Sequence, residues 1–314
     1  MITIVSLNPC IDWQYNIPIF TYGGMNRVHC TYKSAASKGT NTAIVLKNLE
    51  QAPYCIGFNF IEGGEKVTGK LDSLNISHDF LTIDGAVRVN IKLFEEETGT
   101  MTELNQPGAF VPEVYVKMLE EKVAAFSEKA GKDGILVLSG SLPAGVPKDI
   151  YTKLTGLWRG KVFLDAEGDS LRLAIESKAP PYAIKPNLFE LESTFDVKLQ
   201  TPQDVADFCR KSIVDKGISI VCVSMGANGA VLVTPHVAYF CPAVKVVVRG
   251  LQGAGDSMVA GLIHGALTQA TEPDLLRYAV AAATASVMRE GTDLCSREDF
   301  SEMLKKTPLP SLIK

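Results

Sequence analysis

Five short runs, residues 2–7, 135–139, 162–165, 182–185 and 218–224, are apolar at successive positions rather than at alternate ones. A strand of that kind has both faces out of water, an environment that a parallel sheet covered by helices on both sides supplies. Helical periodicity fills the gaps between the runs. Val116, Leu119, Val123 and Phe126 recur at spacings of three and four, behind Pro112 in a first turn. Thr201-Pro202 opens a second helix that runs to about Lys216, where Gly217 stops it. Repeated strand–helix units imply right-handed crossovers and a doubly wound, three-layer α/β fold around a mostly parallel sheet.

Two stretches depart from this rhythm. Residues 13–34 and 86–105 are strand-like but alternate polar with apolar, as in Arg88-Val89-Asn90-Ile91-Lys92, so one face of each is wet or turned to a ligand. We read them as a small β-sheet lid inserted in a single α/β domain spanning residues 1–314. A chain of 314 residues buries a core without metal or disulfide support. Its net charge is −4 and no block of five like charges occurs, which argues against a nucleic-acid arm or a polybasic membrane segment. There is no apolar run of about 18 residues, so no membrane span is expected. The seven Cys are scattered, mostly in apolar runs and never as C-x-x-C; they read as reduced, buried thiols of a cytoplasmic protein. The four His have no zinc-binding spacing. Residues 1–7 have neither a basic segment nor a long apolar one and read as a first strand, not a signal peptide.

The most informative segment runs from Val246 to Ile263: a strand ends, Gly253-Ala254-Gly255 turns the chain and Asp256 stands at the start of an apolar helix. Glycines admit close approach of a ligand, and the free N–H groups of a helix N-terminus attract an anion. An Asp beside that site could take the proton of a hydroxyl to which the anion is transferred. The same run also fits a helix merely capped by Asp256. Lys185, Asn187 and Glu190 lie just past a buried strand, where ligands bind in open α/β sheets; Ser139, Ser141 and Asp165 also follow such strands. The Ser224–Gly229 turn fits either a plain hairpin or a nucleotide cradle. On the N-terminal side, Asp12, Lys38 and Asn41 have the donors and acceptors that polyols need. Arg27, Lys38, Arg88 and Lys92 cluster on or beside the lid and would suit a phosphorylated acceptor. Residues 64–70 match most of a P-loop, but Leu71 replaces its hydroxyl residue; residues 59–64 read as a polar loop with no apolar strand before them.

These motifs together resemble the PfkB-type (ribokinase-like) carbohydrate kinases, in the branch that phosphorylates fructose 1-phosphate or tagatose 6-phosphate. The resemblance runs nearly the whole length and rests on Leu7-Asn-Pro-Cys-Ile-Asp12, Lys38-Gly-Thr-Asn41, Arg88-Val-Asn-Ile-Lys92, Glu103-Leu-Asn-Gln-Pro-Gly108, Ser139-Gly-Ser-Leu-Pro143, Lys185-Pro-Asn-Leu-Phe-Glu190, Ser224-Met-Gly-Ala-Asn-Gly229 and Gly253-Ala-Gly-Asp256. It implies a ribokinase-like fold with a β-sheet lid, often paired with a second lid in a homodimer. It implies Asp256 as general base and the amides of Gly253, Ala254 and Gly255 as the anion hole. Lys185, Asn187, Ser224, Gly226 and Gly229 would line the ATP site, with Asn187 and Glu190 positioning Mg²⁺ largely through water. Asp12, Lys38, Gly39 and Asn41 would hold the sugar hydroxyls; Arg27, Arg88 and Lys92 would meet its existing phosphate. The implied reaction is ATP-dependent phosphorylation of a ketohexose phosphate to a bisphosphate, with fructose 1-phosphate the first choice and tagatose 6-phosphate the alternative. The chain departs from the family pattern at Ser37, usually Gly; at Leu251, usually Ser or Thr; and at Glu167, in a turn usually small and hydroxylic. Those departures motivate a rival reading, a sugar-phosphate sensor that has lost catalysis.

Overall fold

The computed structural model describes residues 1–289 and 293–313, apart from the side chain of Cys30. The first apolar run is a central strand, β1 (Ile2–Ser6), in which Ile2 and Ile4 enter one core while Val5 and then Leu7 enter the other. After a three-residue break the chain forms β2 (Cys10–Ile17) and β3 (His29–Ala36), then α1 (Lys38–Asn48), whose N-terminus Ser37 caps by accepting from the Thr40 N–H. Next come β4 (Pro53–Glu62), α2 (Gly64–Ser73), β5 (Ser77–Ala86), β6 (Arg88–Glu95) and β7 (Thr100–Asn105). The middle of the chain alternates α3 (Glu113–Ala130), β8 (Ile135–Ser139), α4 (Ile150–Leu157), β9 (Lys161–Asp165), α5 (Gly168–Ile175), β10 (Ala183–Ile184) and α6 (Leu188–Phe195). It continues through α7 (Pro202–Ser212), β11 (Ile220–Ser224), β12 (Ala230–Val233) and β13 (Ala238–Cys241), and closes with α8 (Ala254–Leu267), α9 (Glu272–Val287), α10 (Arg297–Lys306) and β14 (Ser311–Ile313).

Among the described residues the large sheet has ten strands in the order β14-β13-β12-β11-β10-β9-β8-β1-β4-β5. From β11 to β5 every pairing is parallel, and β12, β13 and β14 extend one edge antiparallel. Helices α3 to α7 bury one face and α1, α8, α9 and α10 the other, giving three layers around two apolar cores. The doubly wound, mostly parallel α/β expectation therefore holds. Gly57 shows how closely β1 and β4 pack: its φ is +131° and a Cβ there would lie 1.9 Å from the Ser6 carbonyl oxygen.

A separate four-stranded sheet runs β3-β2-β6-β7, with β2 and β6 parallel. Its strands start earlier and end later than the alternation at 13–34 suggested, because Cys10 and Ala36 pair with each other at the junction with the main sheet, while residues 18–28 form no strand. Three other local expectations are corrected. No strand leads into the glycine turn at Gly253: residues 242–253, between β13 and α8, form neither strand nor helix, and Pro242 follows directly on β13. The helix opened by Thr201 ends at Ser212, and a 3₁₀ turn, Val214–Lys216, carries the chain to Gly217. Residues 59–62 belong to the buried strand β4, and only Gly63 separates that strand from α2. Asn59 is buried in the core with its amide nitrogen donating to the Gly64 carbonyl at 3.0 Å, while its Oδ1 has no partner among the described residues. The P-loop reading fails for a different reason from the one the sequence suggested: residues 64–70 are helix, which leaves no loop to wrap a phosphate.

Candidate active site

The C-terminal ends of β1, β8, β9, β10 and β11 open into a cavity of about 1060 Å³ roofed by the small sheet. Ser6, Ser139, Asp165, Lys185 and Ser224, each at or just past a strand end, line it together with Asn41, Gly253, Gly255 and Asp256. The turn before α8 is built on Gly253, whose φ of +69° favours glycine and whose missing Cβ makes room for Leu294, 2.3 Å from where that atom would sit. Asp256 then falls in the first helical turn, buried, with the Asn41 amide donating to its Oδ2 at 2.7 Å. Burial and the neighbouring Asp165 charge push its carboxyl up to about 7, against the opposing pull of Lys38, Asn41 and Lys185. A carboxyl balanced there is suited to accept a proton near neutral pH.

Two lysines converge on Asp165. Lys185 Nζ lies 3.3 Å from Asp165 Oδ1, and a Cβ on Gly255 would stand 3.5 Å from the same ammonium, so Lys185 reaches the glycine turn itself. Lys38 Nζ lies 3.4 Å from Asp165 Oδ1 and 3.4 Å from Glu190 Oε1. Burial works against the charge on Lys38, but Asp165 and Glu190 outweigh it and hold the group well above the ordinary lysine range. Asp165 feels the reverse: burial opposes its charge, yet Lys185 and Lys38 keep it below the usual carboxylate range. Lys38 thus faces the cavity already engaged by two carboxylates. Gly39 lies below the cavity wall, where a Cβ would be 3.2 Å from the Ser6 Cβ.

The small sheet supplies the opposite wall. Asp12 is buried and accepts from Asn90 Nδ2 at 3.1 Å, while Lys92 Nζ sits 3.1 Å from its other oxygen and 3.9 Å from Glu103. Lys92 therefore neutralises Asp12 and is not left free for an incoming anion. Arg88 faces the same cavity; Nη1 donates to the Gln106 carbonyl at 3.0 Å, and its buried Nε has no partner. Arg27 is exposed on the β2–β3 connection and is not among the residues lining the cavity.

A second cavity of about 970 Å³ adjoins the first across Asn187, Ser224, Leu251 and Gly255. Gly226, Gly229 and Ala254 line it, with apolar walls from Phe189, Val246, Val248 and Met258. Gly226 opens a 3₁₀ turn between β11 and β12, so the Ser224–Gly229 segment is a hairpin turn that also borders this cavity. Asn187 and Glu190 form a capping box at the start of α6: the Asn187 N–H donates to Glu190 Oε2 at 2.8 Å and the Glu190 N–H to Asn187 Oδ1 at 2.7 Å. Among the described residues no three His, Cys, Asp or Glu side chains group to hold a metal. The oxygens of Glu190 and Asn187 suit a hydrated Mg²⁺ carried by phosphates better than a chelated one.

Sequence reasoning gave no role to Asn8, Asn90 or Gln252, which also line the larger cavity. For Asn90 a signal was present, since Arg88, Asn90 and Lys92 alternate along β6 and so share a face. The six described thiols are free and buried, and the side chain of Cys30 lies outside the described residues. No helix among the described residues is long and apolar enough to cross a membrane.

The chain is similar in sequence and in fold to known proteins. Residues 1–299 match the profile of the pfkB family carbohydrate kinases. The chain is 31% identical over 315 residues to a 1-phosphofructokinase of Bacillus subtilis, covering 99% of this chain and all of that one. It is 30% identical over 307 residues to a 1-phosphofructokinase of Borreliella burgdorferi, covering 97% and 96%. Escherichia coli phosphofructokinase-2, solved in complex with substrates and products, superposes with a TM-score of 0.87 at 27% identity over 97% of this chain and 98% of that one. A tetrameric inhibited form of that enzyme superposes at 0.86, with 26% identity and the same coverage.

Proposed function

The chain belongs to the pfkB family of carbohydrate kinases, and we infer that it transfers the γ-phosphoryl group of ATP to O6 of fructose 1-phosphate. The observation that carries this reading is Asp256, buried and oriented by Asn41 in the first turn of a helix whose glycine-rich entry lies against the Lys185 ammonium. Asn41 fixes the carboxylate, and Asp256 accepts the O6 proton as that oxygen attacks phosphorus. The O6–P bond forms as the bond to the β-phosphate bridging oxygen breaks, leaving ADP. The N–H groups of residues 253–255 and Lys185 face the charge that develops on the moving group. Mg²⁺ arriving with the nucleotide would neutralise phosphate charge, its waters held by Glu190 and Asn187. The apolar second cavity, bordered by Gly226 and Gly229, suits the nucleoside end of ATP. Asp12 and Asn90 suit the sugar hydroxyls, and Arg88 suits the phosphate already present.

The small sheet serves as the lid that excludes water, a competing acceptor. Among the described residues its outer strands β3 and β7 pair on one side only, and Ile19, Phe20, Met25 and Leu104 in the same region are exposed. Lid-to-lid pairing in a homodimer would cover both features. The chemistry and the free, buried thiols fit a cytoplasmic enzyme.

The test is ADP release from Mg-ATP with fructose 1-phosphate, tagatose 6-phosphate, fructose 6-phosphate, fructose and adenosine as acceptors. Turnover confined to fructose 1-phosphate is expected. Preference for tagatose 6-phosphate would move the reading to the other member of the branch. Silence on every acceptor together with tight sugar-phosphate binding would replace the kinase with a sensor.

A further inference from the structure

Among the described residues, five buried polar atoms that belong to residues lining the larger cavity have no hydrogen-bond partner: Asn8 Oδ1, Asn90 Oδ1, Arg88 Nε, Ser139 Oγ and Gln252 Nε2. Groups left this way are costly unless a ligand completes them. Gln252 differs from the rest in two respects. It directly precedes Gly253, so it stands at the end of the cavity where the glycine turn and Asp256 lie. Its other amide atom is already committed: Oε1 accepts from the Tyr32 hydroxyl at 2.7 Å, across 220 positions of sequence. Tyr32 lies on β3, which pairs with β2 and through it with the strand that carries Arg88, Asn90 and Lys92. One amide group thus spans the gap between the glycine turn and the small sheet, with its donor side unfilled.

We propose that Gln252 is a positioning and specificity-determining residue for the acceptor, its Nε2–H donating to an oxygen of the sugar phosphate near the attacking hydroxyl while Tyr32 holds the amide in that orientation. This rests on the kinase reading above. The recipient is the sugar and not the nucleotide, because Gln252 lines the larger, polar cavity and is absent from the walls of the second, whereas its neighbour Leu251 borders both. The tie to Tyr32 makes the contact depend on the small sheet being seated over the turn, so the acceptor is gripped as the cleft closes.

The chemistry of the two amide atoms separates this role from a purely structural latch. Gln252→Glu keeps an oxygen for Tyr32 but loses the donor; Gln252→Leu loses both. Steady-state kinetics on the full chain should show kcat/KM for fructose 1-phosphate falling about tenfold or more in both variants, with KM for ATP changed by less than about twofold. Tyr32→Phe should give a smaller fall, and adding it to Gln252→Leu should cost nothing further. A Gln252→Glu enzyme within about twofold of the unaltered chain toward the sugar phosphate overturns the proposal, as do equal losses toward sugar and ATP. If the unaltered chain turns over no sugar phosphate at all, the kinase reading itself has failed. Activity in the unaltered chain with an indifferent Gln252→Glu refutes the positioning role alone.

Discussion

Asp256 owes its character to its surroundings. Burial first, and the Asp165 charge second, raise its carboxyl from the ordinary 3.8 to about 7. Holding it ionised therefore works against the folded state. The stabilisation is fully present below the unfolded value near 3.8 and is lost as pH rises through about 7. Asp256→Asn, which still offers an oxygen to Asn41, removes that penalty. Its unfolding free energy should exceed that of the unaltered chain by a margin that grows from pH 5 to pH 8, reaching on the order of 4 kcal/mol at most, and its melting temperature should rise in step. A margin that is constant with pH would show that Asp256 is not strained by its charge. Single residues of this kind were legible in the sequence where a polar group directly follows an apolar run, as Asp165 and Lys185 do, or stands between a glycine turn and an apolar helix, as Asp256 does. Their partners were not. Lys92–Asp12, Lys38–Glu190 and Tyr32–Gln252 join positions 80, 152 and 220 residues apart, and no local pattern encodes such meetings.

The elements divide by how cleanly their pattern reports their environment. Strands β1, β8, β9 and β11 are uninterrupted apolar runs and were evident. Strand β4 was obscured by Gly57, which lets β1 approach, and by Asn59, which ties the strand to α2 by donating to the Gly64 carbonyl. In the small sheet, β6 presents Arg88, Asn90 and Lys92 to the cavity, but the structure gives them different tasks. Lys92 balances Asp12, Asn90 bonds to it, and Arg88 alone keeps an unpartnered guanidinium nitrogen. Arg88→Ala should therefore raise KM for fructose 1-phosphate by roughly tenfold or more and that for fructose far less. Equal effects on the two sugars would show that Arg88 does not read the phosphate.

At the scale of the whole molecule, the parallel sheet gathers five strand ends at one rim, α8 brings the glycine turn to it, and the small sheet faces it from above. The departures at Ser37 and Leu251 leave this arrangement intact. Ser37 caps α1, and Leu251 is 68% exposed between the two cavities. Glu167 caps no group with its side chain, and nothing in the structure explains its replacing a hydroxylic residue. Retention of the Asn41–Asp256 pair favours an active kinase over a sensor. The most direct test of that claim is the turnover of Asp256→Asn with Mg-ATP and fructose 1-phosphate at pH 8, where the native carboxyl is ionised. In that variant kcat should fall by at least the roughly 10²–10⁴-fold typical of a lost general base, with ATP binding retained. Turnover close to that of the unaltered chain would contradict it.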